Sequence, residues 1–270
     1  GVTAEITADS LQGPFTATLS AIVRGLPVEA TLRANSIRAN QPIGLNATFG
    51  VADLDSRVTF SGQVNNPGPA ASLDGKLSVE GANAAEAIRR ITGSGGTAIL
   101  ARPFSLSSVV SASQKLAALN DIAVRLGDVS ATGAVNLGFG DTLDLDIAVS
   151  VNKFDLDAFL ASATLNAEPG KTAAGSEKAT ATAESSKAAP VALPENVNAT
   201  LDLTIDVLRY NRGVVRQVGL RAAMSNGSIT LDRASALLPG GSDVSALGFL
   251  QMVDGAPLFE GEVAAASDNL

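Results

Sequence analysis

Aliphatic and polar residues alternate along most of this chain. A period of two suits a strand with one buried face and suits no helix. Leu143, Leu145, Ile147, Val149 and Val151 alternate with Asp144, Asp146, Ser150 and Asn152. Leu201, Leu203, Ile205 and Val207 alternate with Asp202, Thr204 and Asp206, and Ile43, Leu45, Ala47, Phe49 and Val51 follow the same rule. Weaker versions run through 15–23, 28–34, 58–64 and 129–139. These segments predict a large antiparallel sheet with one aliphatic and one wet face. Hydrophobic residues make up 46% of the chain and aromatic ones only 4%, with no Trp. The apolar surface is therefore aliphatic, unlike a platform for stacking sugars, and the positive mean hydropathy of +0.24 implies that some of it stays exposed.

Turn and cap residues add local detail. Asn226-Gly227 predicts a two-residue hairpin pairing 225 with 228, Met224 with Ile229 and Ala222 with Leu231, and it puts Arg221 opposite Asp232. Asn83 with Glu86 three residues on reads as a helix start, and the helix ends at Gly93 after Arg89 and Arg90. A second helix is expected over 106–119. A third begins near Asp155, with Leu156, Phe159 and Leu160 on one side. Residues 166–193, rich in Ala, Thr, Ser, Glu, Lys, Gly and Pro, read as a flexible linker. It divides a β-rich region of about 1–165 from a second of about 194–270, and both can supply strands to one sheet.

Several kinds of chemistry are disfavoured. A net charge of −8 argues against nucleic acid as a partner. The chain has no His and no Cys, which removes the common Ser-His and Cys-His nucleophile systems and thiolate metal sites. Asp141, Asp144, Asp146, Asp155 and Asp157 resemble a calcium or carboxylate-pair cluster in composition. Their placement on the wet side of a strand and before a helix instead predicts solvated and capping roles. Residues 92–97 are glycine-rich but lack the Lys-Ser or Lys-Thr ending of a phosphate loop, so they read as a helix C-cap and turn. No cofactor, metal or catalytic residue is expected. No run reaches the roughly 18 apolar residues of a spanning helix, so the chain is expected to be soluble or to lie against a membrane.

The chain also matches itself. Gly62-Gln63-Val64 and Gly75-Lys76-Leu77 correspond to Gly248-Phe249-Leu250 and Gly261-Glu262-Val263 at one constant offset. Each unit reads as hairpin, strand and short helix, with glycine where a strand bends or bulges and a side chain has no room. The second copy is cut where its helix is due. With these glycines, the segments "DSRVTFSGQV", "LDGKLSVEGANAAEAIRRITG", "DIAVSVNKFDLDAFL" and "NGSITLDRASALLPGGSDVSALGFL" resemble the AsmA-like family of bacterial envelope proteins. So does "RPFSLSSVVSASQKLAALNDIAVRLGDVSATGAVNL".

That resemblance implies an elongated groove or taco-like half-barrel, similar to those of bridge-like lipid transfer proteins. It implies a periplasmic body attached to the inner membrane through an N-terminal anchor outside this chain. It also implies guidance of phospholipid, or another acyl-chain lipid, between the inner and outer membranes. The alternative is a structural or assembly factor for outer-membrane proteins or envelope integrity, working with envelope protein partners. The lipid-facing candidates are Leu143, Leu145, Ile147, Val149, Leu201, Leu203, Ile205 and Val207.

Overall fold

The computed structural model describes residues 2–23, 25–38, 41–92, 100–166, 196–253 and 256–267. The strands are β1 Val2–Ala8, β2 Phe15–Val23, β3 Leu26–Ala34, β4 Ile43–Val51, β5 Ser56–Asn65, β6 Ser72–Gly81, β7 Phe104–Ala112 and β8 Leu116–Leu126. They continue as β9 Val129–Phe139, β10 Leu143–Asp155, β11 Val197–Tyr210, β12 Gly213–Ser225, β13 Ser228–Leu238, β14 Ser242–Val253 and β15 Ala256–Ser267. All fifteen form one sheet in chain order, with β1 and β15 at its two edges, so it is not closed into a barrel. Two helices interrupt the order, α1 Ala84–Thr92 after β6 and α2 Leu156–Asn166 after β10.

Neighbouring strands are antiparallel except β10 and β11, which run parallel. The large, predominantly antiparallel sheet expected from the alternation forms, with this one parallel seam. Parallel neighbours need a connection long enough to return to the starting end, and α2 with the segment after it supplies that length. Regions 1–165 and 194–270 thus join one sheet. The linker assigned to 166–193 lies outside the described residues, apart from Asn166 at the end of α2, and so does the glycine-rich stretch at 93–97.

Residues 106–119 are not a helix but parts of β7 and β8. The turn between them uses Ser113, whose amide donates to the Leu116 carbonyl at 2.7 Å and whose Oγ accepts from the amides of Lys115 (3.3 Å) and Leu116 (3.2 Å). The register then slips between Leu119 and Ile122, where Asp121 takes a positive φ of 51°. Apolar residues before the bulge fall on both faces, Leu106, Val110 and Leu119 on one and Val109 and Leu116 on the other, so their spacing mimics a helix. Ser108, the buried polar side chain, donates through Oγ to the Asn120 carbonyl at 2.9 Å, which satisfies a backbone group beside the bulge.

The Asn226-Gly227 turn forms as expected. Both residues have positive φ, 49° and 70°, and Ser225, Met224 and Ala222 pair with Ser228, Ile229 and Leu231. The Arg221–Asp232 pairing is corrected: a register shift at Arg221/Ala222 places Arg221 opposite Arg233. Arg221 instead reaches across to β11, where its Nε donates to Asp202 Oδ2 at 3.1 Å. That hydrogen bond raises the guanidinium pKa above its ordinary value. At α1, Asn83 Oδ1 accepts from the Glu86 amide at 3.0 Å, the cap expected from the sequence. The Glu86 carboxylate turns to Arg90 (2.7 Å) and Arg89.

Candidate functional site

Pairing fixes which residues share a face, because side chains of registered neighbours point the same way. One row crosses the entire sheet. From β1 to β8 it runs Ala8, Phe15, Ala34, Leu45, Gly62, Gly75, Val110 and Leu119. From β9 to β15 it runs Val135, Ile147, Leu201, Ala222, Leu231, Gly248 and Gly261. None of the fifteen carries a polar side chain. The adjacent row on the opposite face includes Gln63, Asp74, Ser111, Asn136, Asp146 and Thr200. Fourteen steps of about 4.8 Å make the apolar row about 67 Å long.

The eight candidates from the sequence fall on this face, with a stagger. Ile147 lies beside Leu201, Val149 beside Leu203, and Val151 beside Ile205. Leu143 and Leu145 pair with Val197 and Ala199, and Val207 pairs with Lys153 on one side and Arg216 on the other. Val207 therefore marks the end of the stripe, where charge begins. The apolar face extends beyond these eight residues. Val151, Val197 and Ala199 continue it locally, and Ile6, Leu19, Leu32, Phe49 and Phe60 extend it to the first edge. The alternation in 15–23, 28–34, 43–51 and 58–64 was the signal for most of them.

No second sheet covers the face among the described residues. Among the described residues every strand belongs to the one sheet, and the extensive contacts of each strand are with its neighbours in that sheet. Few apolar side chains are buried among the described residues, namely Leu26, Val28, Leu54, Ala84, Ala87 and Ala118. None of the eight candidates is fully buried, and Leu143 and Val207 are each 38% exposed. Toward the first edge the face is hollowed, with a volume of about 350 Å³ bounded by Ile6, Leu19, Leu32, Phe49, Val58 and Phe60.

The repeated glycines form the floor. Gly62 pairs with Gly75 and Gly248 with Gly261, both in unbroken register, so the expectation of a bend or bulge at these positions is corrected. The lack of room is real. A Cβ on Gly62 would lie 2.6 Å from Gly75 Cα and 2.7 Å from Phe60 Cζ, and one on Gly248 would lie 2.8 Å from both Gly261 Cα and Phe259 Cζ. In each hairpin a phenyl ring lies over a glycine pair. The ring comes from the first strand in one copy and from the second strand in the other.

Polar groups hold the other face and the ends. Asn198 Nδ2 donates to Asp144 Oδ1 at 2.8 Å and Thr200 Oγ1 to Asp146 Oδ1 at 2.6 Å, stitching the parallel seam on its wet side. Asp155 Oδ1 caps α2 by accepting from the Ala158 amide at 2.9 Å. Asp157 fastens the same helix to the β11–β12 turn by accepting from the amides of Asn211 (2.8 Å) and Arg212 (3.1 Å). The Arg212 and Asn211 amides, in that order, hold its pKa below the usual carboxylate value. No family model matches the chain, no curated protein matches it, and no solved structure does.

Proposed function

We propose that this chain carries acyl-chain lipid along the apolar face of its sheet, without catalysing a reaction. The observation that carries this reading is the fifteen-residue row that crosses every strand without a polar side chain, on a face that no second sheet covers among the described residues. An acyl chain of about 16 carbons loses on the order of 10 kcal/mol when exposed to water, at about 0.8 kcal/mol per methylene, so a path for it must be apolar throughout. The AsmA-like resemblance supports a periplasmic setting, an inner-membrane attachment made outside this chain and phospholipid as cargo. No described helix is long and apolar enough to cross a membrane. The second reading, an assembly factor for envelope proteins, draws on the two open sheet edges at β1 and β15, whose outward backbone groups suit strand addition.

Lipid extraction and mass spectrometry on the purified protein separate the two. Ile147→Asp and Ile205→Asp each place a charge in the path, whereas Ser150→Asp places the same charge on the wet face. The Ile variants should lose most of their bound lipid while remaining β-rich by circular dichroism, and Ser150→Asp should keep it. Folded Ile variants that load as well as Ser150→Asp would leave the assembly reading in place.

A further inference from the structure

Where the apolar stripe ends, beyond Val151 and Ile205, the same face opens into a cavity of about 390 Å³ beside α2. Its body is apolar, with Leu126, Val129, Phe159 and Val207. Its rim is charged, with Arg102, Lys153 and Arg209 set against Asp128 and Asp155. Three cations thus meet two carboxylates in the lining, in a chain whose net charge is −8, and Asp157 on α2 adds a third carboxylate within electrostatic reach of Arg209. Asp128 serves two of them, accepting from Arg102 Nη1 at 2.7 Å and from Lys153 Nζ. Asp155 has one oxygen committed to the α2 cap, and its other oxygen meets Arg209 at 3.5 Å, the outer limit of a hydrogen bond. The Arg209 side chain is 64% exposed. The rim therefore presents donors in excess of the acceptors beside them. The first hollow, by contrast, has no charged residue in its lining.

We propose that this cavity holds the anionic headgroup of a lipid, with Lys153 and Arg209 as its donors and Arg102 supporting them, while the acyl chain leaves over Val207 onto the apolar face. The proposal rests on the lipid-carrying reading and adds selectivity to it. Guanidinium groups match phosphate oxygens in pairs, and an ammonium adds a point charge, so a headgroup with net negative charge is preferred over a zwitterionic one. Hydrogen bonding from Lys153 holds Asp128 below the usual carboxylate pKa, so the carboxylate that orients two of the cations stays charged at neutral pH.

The test loads the purified chain from an equal mixture of phosphatidylglycerol and phosphatidylcholine with identical acyl chains, and quantifies both after extraction. Wild type should enrich phosphatidylglycerol several-fold. Lys153→Gln/Arg209→Gln should bring the ratio close to one with total lipid retained, and Lys153→Arg/Arg209→Lys should restore the preference. A ratio near one in wild type, or an unchanged preference in the double glutamine variant, overturns the proposal and leaves the carrying reading standing. Absence of both lipids from wild type defeats the carrying reading itself. Excess inorganic phosphate should leave the ratio unchanged. Loss of phosphatidylglycerol to phosphate would reassign the cavity to the free anion.

Discussion

The first hollow and the α2 cavity lie on the same face of one sheet, yet they differ in chemistry. Between β1 and β5 the lining is aliphatic and aromatic with threonines at the margin, all supplied by strands. Beside α2 the floor is still apolar, but Lys153 and Asp155 at the end of β10, Arg209 at the end of β11, and Arg102 and Asp128 outside the strands bring charge. Strand alternation, repeated fifteen times, sets the continuity of the path. On the proposed reading, the charged strand ends and turns beside α2 set what the path discriminates. A longer sheet of the same pattern would extend the path without changing its selectivity.

The comparison can be broken at either end. At the first, Phe60 lines the hollow and also lies over the glycine pair: a Cβ on Gly75 would be 2.5 Å from Phe60 Cζ and 2.8 Å from the Ser61 carbonyl. Gly75→Ala should displace the ring and cost about 1–3 kcal/mol in urea unfolding, as overpacking does. Gly50→Ala is the control, since its new Cβ meets only the Ser56 carbonyl, at 3.9 Å. The headgroup preference at α2 should be unchanged in both. If Gly75→Ala alters that preference, the two ends are not independent.

A smaller effect is expected at the other end with pH. The pKa of Asp157 is lowered in the folded chain, so its fastening of α2 is fully present above the unfolded value of about 3.9. It is lost as pH falls through the lowered folded value. Protection of the Asn211 and Arg212 amides, measured against their intrinsic exchange rate, should therefore hold down to about pH 4 and fall below it. Asp157→Asn should make the same amides exchange faster at neutral pH. Amides in β2 to β4 should show neither change, and parallel changes there would mean global unfolding in place of release of α2.

The sequence showed the fold where the period was clean. Leu143 to Val151 and Leu201 to Val207 carry their apolar face in the residues themselves, and Asn226-Gly227 and Asn83 mark a turn and a cap by chemistry that works locally. The errors arose where alternation or register broke down. Apolar residues on both faces made β7 and β8 look helical, and the extra residue Asp232 puts Arg233 opposite Arg221. The parallel seam could not be read locally, because strand direction depends on the length and route of a distant connection. Nor could the charged rim: Arg102, Asp128, Lys153 and Arg209 are far apart in the chain and meet only through pairing of β8 to β11.

The central claim is one continuous apolar path on one face. Photo-cross-linking amino acids can be placed at Leu45, Val135 and Leu231 along the row, and at Asn46, Asn136 and Thr230, their neighbours on the wet face. After loading with phospholipid and irradiation, mass spectrometry of the intact chain counts the adducts. Lipid adducts at all three row positions and none at the three wet positions are the predicted result. Equal labelling of the two faces, or a row labelled at one end alone, would contradict a continuous path.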